Sequence, residues 1–531
     1  MKKRQVPSDP PADAMAGPAM RFFAPVRRHY VWVPMILLGL AALLTLDLRL
    51  HINGDNVSYM RLAESIRNGE GIWPASRFPP GFPWLLVPIQ SIWGLNLLPQ
   101  KILVFTAYLV AVFFGTHLTF RFWGPWRGGL AALLGMSLIP VVEYSHYVMS
   151  EIPFLAVVMA CFWWVDRRDG EAAHSFREGF IAGALAMAAF WIRSAGLVIP
   201  AAVLGAYGLQ RRRKAAMGAA LAIILLILPW IVKTAMGGAG QSYIRQFFLV
   251  NPYFPEFGFL GFPDLLDRLL HNGKEYFLLE IPHLVWPAIF RSTYTNVAEL
   301  SRYLPIPAVG AAWLLILIGL VQGARRLQAW VLASLLTLVL CLLWPPIWGS
   351  SRFLVPIAPF LMWAFLNGAW IFFRWILGPR GRWFFRVVVL ALLILAGQNL
   401  VKLKIQSRTY PPAWDAYFQA ARWVRMNMPE GILIIDRKPG LFGFVSERRC
   451  EGFPREADSQ KMLQNFEERD VDLVVLSRIP YDDIGRFLLP AISRHPNRFE
   501  LVYSDRGIPE REVFLFHLLS PAETPDSLGI Q

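Results

Sequence analysis

The sequence predicts a polytopic α-helical membrane protein of about eleven spans, with a small α/β domain on the outer side at its C-terminal end. Three observations lead there. Of the 531 residues, 55% are hydrophobic and 17% charged, where soluble domains carry about 25% charge. The apolar residues fall in runs of about 14–20 separated by short basic clusters. After Val401 the pattern changes to short β-type runs and amphipathic helical stretches with balanced charge, 18 basic against 19 acidic residues.

The elements follow in order. Residues 1–30 form a basic N-terminus, expected to be cytoplasmic. The apolar run from Val31 to Leu46 is followed by Asp47-Leu-Arg-Leu-His51 with no small-residue cleavage pattern, so it reads as an uncleaved first span. Spans are expected near 31–49, 101–120, 129–142, 152–165, 179–192, 196–209, 215–232, 306–322, 329–344, 353–373 and 384–400, with 179–209 open to being one long broken helix. A transmembrane barrel is excluded, because its strands would alternate. With the N-terminus in the cytoplasm, the inside segments hold 21 Lys and Arg and the short outside turns 2, as the positive-inside rule requires. The net charge of +15 is therefore topological; it does not describe a phosphate-binding surface, and nucleic acid is not an expected partner. An odd span count leaves residues 31–400 as the membrane body and 401–531 as an extracytoplasmic α/β domain. Two long outer loops, 50–100 and 233–305, are rich in aromatic residues, and Trp84–Leu98 is apolar but too short to span, which suits an interfacial or re-entrant helix.

Phosphate-loop, dinucleotide and His-Glu-x-x-His motifs are missing, and three scattered cysteines make neither a disulfide framework nor a metal cluster. Asp470-Val-Asp472 precedes a strand and reads as a turn. The informative strings lie on the outer side. In the first loop, Asn53-Gly-Asp-Asn-Val-Ser-Tyr59 opens a helix on which Asp55, Tyr59, Leu62 and Ile66 share a face. Read from the helix alone, Asp55 is its N-cap. A second turn, Glu143-Tyr-Ser-His-Tyr-Val-Met-Ser-Glu-Ile-Pro153, sets Glu143, His146 and Glu151 between two spans, where ionisable groups are costly and kept for function. His146 reads equally as an interfacial histidine. Three cations break the inside bias: Arg193, Lys233 and Arg352. Snorkelling explains any one of them; together, near two acidic loops, they would make a phosphate site.

At these residues the sequence resembles the membrane-embedded glycosyltransferases of the C type, in particular the bacterial relatives of protein mannosyltransferases and of the aminoarabinose transferase that modifies lipid A. The resemblance rests on Gly54-Asp-x-x-x-Tyr59 with a downstream Pro-Pro-Gly-x-Pro segment, Ser150-Glu-Ile-Pro-Phe154, Trp191-Ile-Arg-Ser-Ala-Gly196, Leu228-Pro-Trp-Ile231 and Ser351-Arg-Phe-Leu-Val-Pro-Ile-Ala-Pro359. It implies inverting transfer of a sugar from a polyprenyl-phosphate carrier to a lipid, glycan or protein acceptor at the outer face of a membrane, the bacterial inner membrane being favoured. On this resemblance Asp55 is the general base and Glu151 the second acidic position. Arg352, Arg193 and Lys233 are the candidate phosphate cations, with Tyr59 and His146 beside them. Many members carry two adjacent acids in the first loop, whereas Asn56 follows Asp55 here. No cofactor is therefore required, and a divalent cation is the minority alternative. The competing functions are a cell-envelope polymerase or ligase, and a transporter or flippase of lipid-linked sugars, against which the lack of any internal repeat speaks.

Overall fold

Apolar runs too uniform to have a polar face become helices whose outer surface stays apolar. In this computed structural model, which describes residues 31–71, 78–166, 175–236, 243–291, 304–326, 328–349, 351–505 and 508–520, helices dominate to Gln406. They are α1 (Trp32–Leu44), α2 (Asp55–Arg67), α3 (Gly81–Trp93), α4 (Leu97–Met136), α5 (Ile139–Tyr144), α6 (Glu151–Val165), α7 (Phe176–Ile192), α8 (Val198–Leu209), α9 (Arg213–Met236), α10 (Phe262–Gly273), α11 (Ile306–Arg325), α12 (Ala329–Leu343), α13 (Ala358–Leu377) and α14 (Gly381–Gln406). Among the described residues four helical stretches are long and apolar enough to cross a membrane, namely α4, α9, α11 and the α13–α14 run; α1, α6, α8 and α12 are shorter apolar helices. Ile224, Leu225, Leu228 and Ile231 of α9 are exposed, as lipid-facing residues are. The basic segment 1–30, Arg77 and the stretches 237–242 and 292–303 of the loop 233–305 lie outside the described residues.

Several expected boundaries shift for identifiable reasons. The expected spans near 101–120 and 129–142 share α4, which turns back at Gly124, where φ is +77°, ahead of Pro125. A Cβ on Gly128 would lie 2.6 Å from the Thr119 carbonyl oxygen, so the two arms meet backbone to backbone. The stretch 179–209 is broken: Arg193 is extended (φ −152°, ψ 130°) between α7 and a 3₁₀ turn that leads into α8. The span expected from 353 begins at Ala358: Pro356 breaks the chain ahead of it, where the residue before a proline resists helix, and Pro359 sits in the first turn of α13, where proline is tolerated.

The C-terminal residues build α15 (Pro412–Asn427), α16 (Pro439–Ser446) and α17 (Ser459–Glu468) around strands β1 (Leu433–Ile435), β2 (Arg449–Glu451), β3 (Leu473–Ser477), β4 (Phe499–Asp505) and β5 (Val513–Leu518). The sheet order is β2-β1-β3-β5-β4, with β1 parallel to β2 and β3 and β5 antiparallel to β3 and β4. β1 is buried on both faces, as a strand between helix layers must be. Ile434 packs in the same core as Trp414, Phe418 and Val424 of α15, while Leu433 and Ile435 pack with Met462 and Phe466 of α17. Asp472 accepts from the Leu433 N–H at 2.7 Å, and Asp470 adopts a left-handed turn conformation, so this Asp-x-Asp string is structural. The sheet layer reaches the first loop directly: Gly440 of α16 abuts Val57 of α2, and the Tyr410 hydroxyl donates to the Leu50 carbonyl at 2.7 Å.

Candidate active site

Four short backbone devices bring four charges together. Gly54 caps α2, making Asp55 the first residue of the helix proper and aiming its carboxylate at Arg352; this corrects the reading of Asp55 as the cap. Glu151 opens α6, where the positive end of the helix dipole favours a carboxylate. Arg193 occupies the extended break after α7, and Arg352 a 3₁₀ turn, Ser351–Leu354, ahead of α13.

The geometry is interlocked. Arg352 donates from Nη1 to Asp55 Oδ2 at 2.7 Å and from Nε to Glu151 Oε1. Arg193 Nη1 donates to the same Glu151 oxygen at 2.7 Å and to Ser150 Oγ at 3.1 Å. Ser150 Oγ also lies 3.0 Å from the Tyr59 hydroxyl. The side chain of Glu151 is 0% exposed, that of Arg352 14% and that of Asp55 27%, so Asp55 is the member of the cluster a ligand meets. Burial opposes a charged Arg352, but Glu151 and Asp55 hold its guanidinium well above the ordinary range. Two acids and two guanidiniums leave the cluster neutral, and such a set is stable in a dry site only while each charge keeps its partner.

Five of the expected residues, Asp55, Tyr59, Glu151, Arg193 and Arg352, therefore meet. His146 does not join them: its ring nitrogen Nε2 is 2.9 Å from the Ala42 carbonyl oxygen, and burial, then the charge of Lys101, holds its pKa down at about 4. Lys233 lies on α9 with its ammonium 4.7 Å above the Trp230 ring. Two neighbours escaped the sequence reading. His51 is buried, accepts from the Asn53 N–H at Nδ1 (3.2 Å) and packs its ring 3.7 Å from that of Tyr147. Burial, then Lys101 and Arg352, holds its imidazole well below the ordinary range, so it is neutral. Ser150 joins Tyr59 to Arg193. A lone histidine has no pattern that announces it, and Ser150, though it opens the Ser150-Glu-Ile-Pro-Phe154 string, shows its role only through tertiary contact.

Two cavities flank the Arg352 segment. Arg193 heads an apolar crevice between Phe154, Val158, Phe353, Pro356 and Phe360. On the other side a second cavity is lined by Glu143, Glu280, His283, Arg291 and Asn399 together with apolar residues of α4, α13 and α14. Burial raises the Glu280 carboxyl to about 7 against the pull of Arg291, its partner at 2.8 Å.

Among the described residues no group of three or more His, Cys, Asp or Glu could hold a metal ion; both carboxylates of the cluster are already neutralised by guanidiniums, and Asn56, which follows Asp55, is buried and donates from Nδ2 to the His51 carbonyl at 3.1 Å.

This architecture is the fold of the C-type membrane glycosyltransferases. The chain resembles ArnT from Cupriavidus metallidurans bound to undecaprenyl phosphate, at 13% identity and a TM-score of 0.55, over 93% of this chain and 98% of that one. It also resembles the Archaeoglobus fulgidus oligosaccharyltransferase in the apo form, at 12% identity and a TM-score of 0.56, over 94% of this chain and 76% of that one. A third similar structure is the archaeal oligosaccharyltransferase AglB from Archaeoglobus fulgidus with an inhibitory peptide and a dolichol-phosphate, at 12% identity and a TM-score of 0.51, over 94% and 75% of the two chains. No protein-family model matches the chain, and no curated protein matches it.

Proposed function

We propose that the protein is an inverting glycosyltransferase that moves a hexosyl or pentosyl unit from a polyprenyl-phosphate carrier to an acceptor hydroxyl at the outer face of a membrane. The observation that carries this reading is Arg352 bridging Asp55 and Glu151 while Arg193 shares the Glu151 oxygen. The fold supports it as well, since structures of the same fold hold undecaprenyl phosphate and dolichol-phosphate.

The chemistry follows from the charges. The apolar crevice below Arg193 takes the first isoprene units, and the phosphate meets Arg193 and Arg352. Its negative charge competes with Asp55 for Arg352 and releases the carboxylate. Asp55 then takes the proton of the acceptor hydroxyl as that oxygen bonds to the anomeric carbon from the face opposite the phosphate. The carbon–oxygen bond to phosphate breaks, its electron pair stays on the phosphate, and the two guanidiniums stabilise the charge that builds there. Glu151 positions both cations, and Tyr59, through Ser150, supports Arg193. His146 and Lys233 serve as flanking groups of the binding region. No step of this reading runs through a metal ion, because Arg193 and Arg352 already neutralise the Asp55 and Glu151 carboxylates; a structure of the same fold was solved with Zn and sulfate.

On this reading residues 31–400 form the catalytic body and 401–531 an extracytoplasmic domain that covers the site through α16. The second cavity, with its carboxylates and His283, receives the acceptor. The protein resides in a bacterial inner membrane with its N-terminus in the cytoplasm. The test is binding of undecaprenyl phosphate to protein in nanodiscs. Ligand at about a hundred times Kd should stabilise wild type by about 2.7 kcal/mol, and Arg193→Gln/Arg352→Gln should abolish the shift. Equal stabilisation of both proteins refutes the phosphate assignment.

A further inference from the structure

Lysine is almost never fully buried unless its ammonium is paired. Lys101, in the first turns of α4, is 2% exposed, and its Nζ donates to three backbone carbonyls: Asp47 at 2.7 Å, Arg49 at 2.8 Å and His146 at 2.8 Å. An ammonium has three N–H donors, so the group is fully used. The first two acceptors belong to the segment that leads into Asp55, and the third to the turn that leads into Glu151.

We propose that Lys101 is a positioning residue that clasps the Asp55 loop to the Glu151 turn, a role that rests on the transferase reading above. The loops touch elsewhere, through the ring of His51 on that of Tyr147 and through Arg352. The arginine bridge, however, must open when phosphate claims Arg352. The acceptors of Lys101 are main-chain oxygens that no phosphate displaces, so the clasp persists while the bridge opens. Its surroundings isolate it further. The Asp47 carboxylate is taken by Arg49 at 2.7 Å, and Arg49 also donates to the carbonyls of Gln406 (3.0 Å) and Thr409, which tethers the same segment to the end of α14. The Tyr147 ring lies 5.9 Å from Nζ, and its hydroxyl donates to Glu143. A base helps only within about 0.5 Å of its productive position, and Lys101 sets the offset between Asp55 and the cations.

The experiment compares full-length wild type, Lys101→Met and the milder Lys101→Arg in nanodiscs, by hydrogen exchange and by turnover of a polyprenyl-phosphate sugar. Lys101→Met leaves three carbonyls without their donor. Amides of 47–53 and 145–151 should then exchange about tenfold faster, with α11 and α13 unchanged. The kcat should fall about tenfold or more, while KM for the donor stays within about twofold because Arg193 and Arg352 are intact. Lys101→Arg, whose planar fork cannot converge on three oxygens around one point, should be intermediate in both. Unchanged exchange in both variants overturns the clasp, and faster exchange with wild-type kcat overturns its positioning role. If wild type consumes no lipid-linked sugar, the transferase reading has failed by itself and with it the positioning role; exchange then decides only whether the clasp exists.

Discussion

Replacing Glu151 by glutamine removes one charge from a cluster that is neutral. Its carboxylate is fully buried, and one oxygen receives Arg193 at 2.7 Å and Arg352 as well. Without it, two guanidiniums share a site with Asp55 as the only nearby anion of the set, and the glutamine amide can turn a donor toward donors. Removing one member of a buried pair costs about 3–5 kcal/mol. At about 2–4 °C per kcal/mol for mid-sized domains, the melting midpoint in nanodiscs should fall by roughly 6–20 °C. The cluster then carries a net positive charge, so undecaprenyl phosphate should bind more tightly than to wild type. Turnover should nevertheless fall about a hundredfold, the loss that a misplacement of about 1 Å can produce. Glu151→Asp, which keeps the charge and shortens the reach, should recover the midpoint better than the rate. Scanning fluorimetry, phosphate-lipid titration and donor consumption read the three quantities. A Glu151→Gln protein with wild-type midpoint and wild-type turnover refutes the reasoning.

Asp55→Asn should lower turnover by about 10²–10⁴, the range for a lost general base, while undecaprenyl phosphate binding persists; loss of binding instead would make Asp55 a ligand-site residue, not the base. Arg352→Lys should lose most activity despite conserving charge, since an ammonium cannot reach Asp55 and Glu151 as the guanidinium does; near-wild-type kinetics would count against the bridge. In the sheet layer, burial raises the Asp436 carboxyl from the usual 3.8 to about 6, against the pull of Tyr417 and backbone hydrogen bonds. A raised folded-state pKa means that this contribution is complete below about pH 4 and is lost as pH climbs through 6, about 2–3 kcal/mol in all; Asp436→Asn should flatten that part of the stability–pH curve. A Cβ on Gly368 would lie 1.8 Å from the Leu315 carbonyl oxygen and one on Gly319 2.0 Å from that of Ala364, so Gly368→Val should separate α11 from α13 and yield little folded protein, whereas Gly397→Val, with no neighbour within 4 Å, should be tolerated.

Much of this was legible in the residues. Uniform apolar runs of this length fold as buried or lipid-facing helices, and the short β-type runs expected after Val401 correspond to strands β1, β3, β4 and β5. Arg193 and Arg352 stood out because they break the charge bias expected of the short turns between apolar runs. Proline and glycine punctuation explains where the reading slipped. Gly124 folded two expected spans back within α4, and Pro356 delayed α13. The cap reading of Asp55 failed because a glycine one residue earlier takes the cap position. β2 is only three residues long, partly exposed and carries two charges, so it has no periodic signal. Lys101 and His51 were invisible for a different reason: their partners are main-chain atoms and rings about 45–100 residues away, and nothing local to either residue marks such a contact.

The central claim is that Asp55, freed from Arg352 by an arriving phosphate, drives transfer of a lipid-linked sugar. The most direct measurement gives purified wild type and Asp55→Asn, each in nanodiscs, polyprenyl-phosphate sugars and an acceptor extract, and follows release of polyprenyl phosphate by mass spectrometry. Release by wild type, with the sugar recovered on an acceptor in inverted configuration and none released by folded Asp55→Asn, is the predicted result. Equal release by both proteins, or uptake of the intact donor without any cleavage, contradicts it.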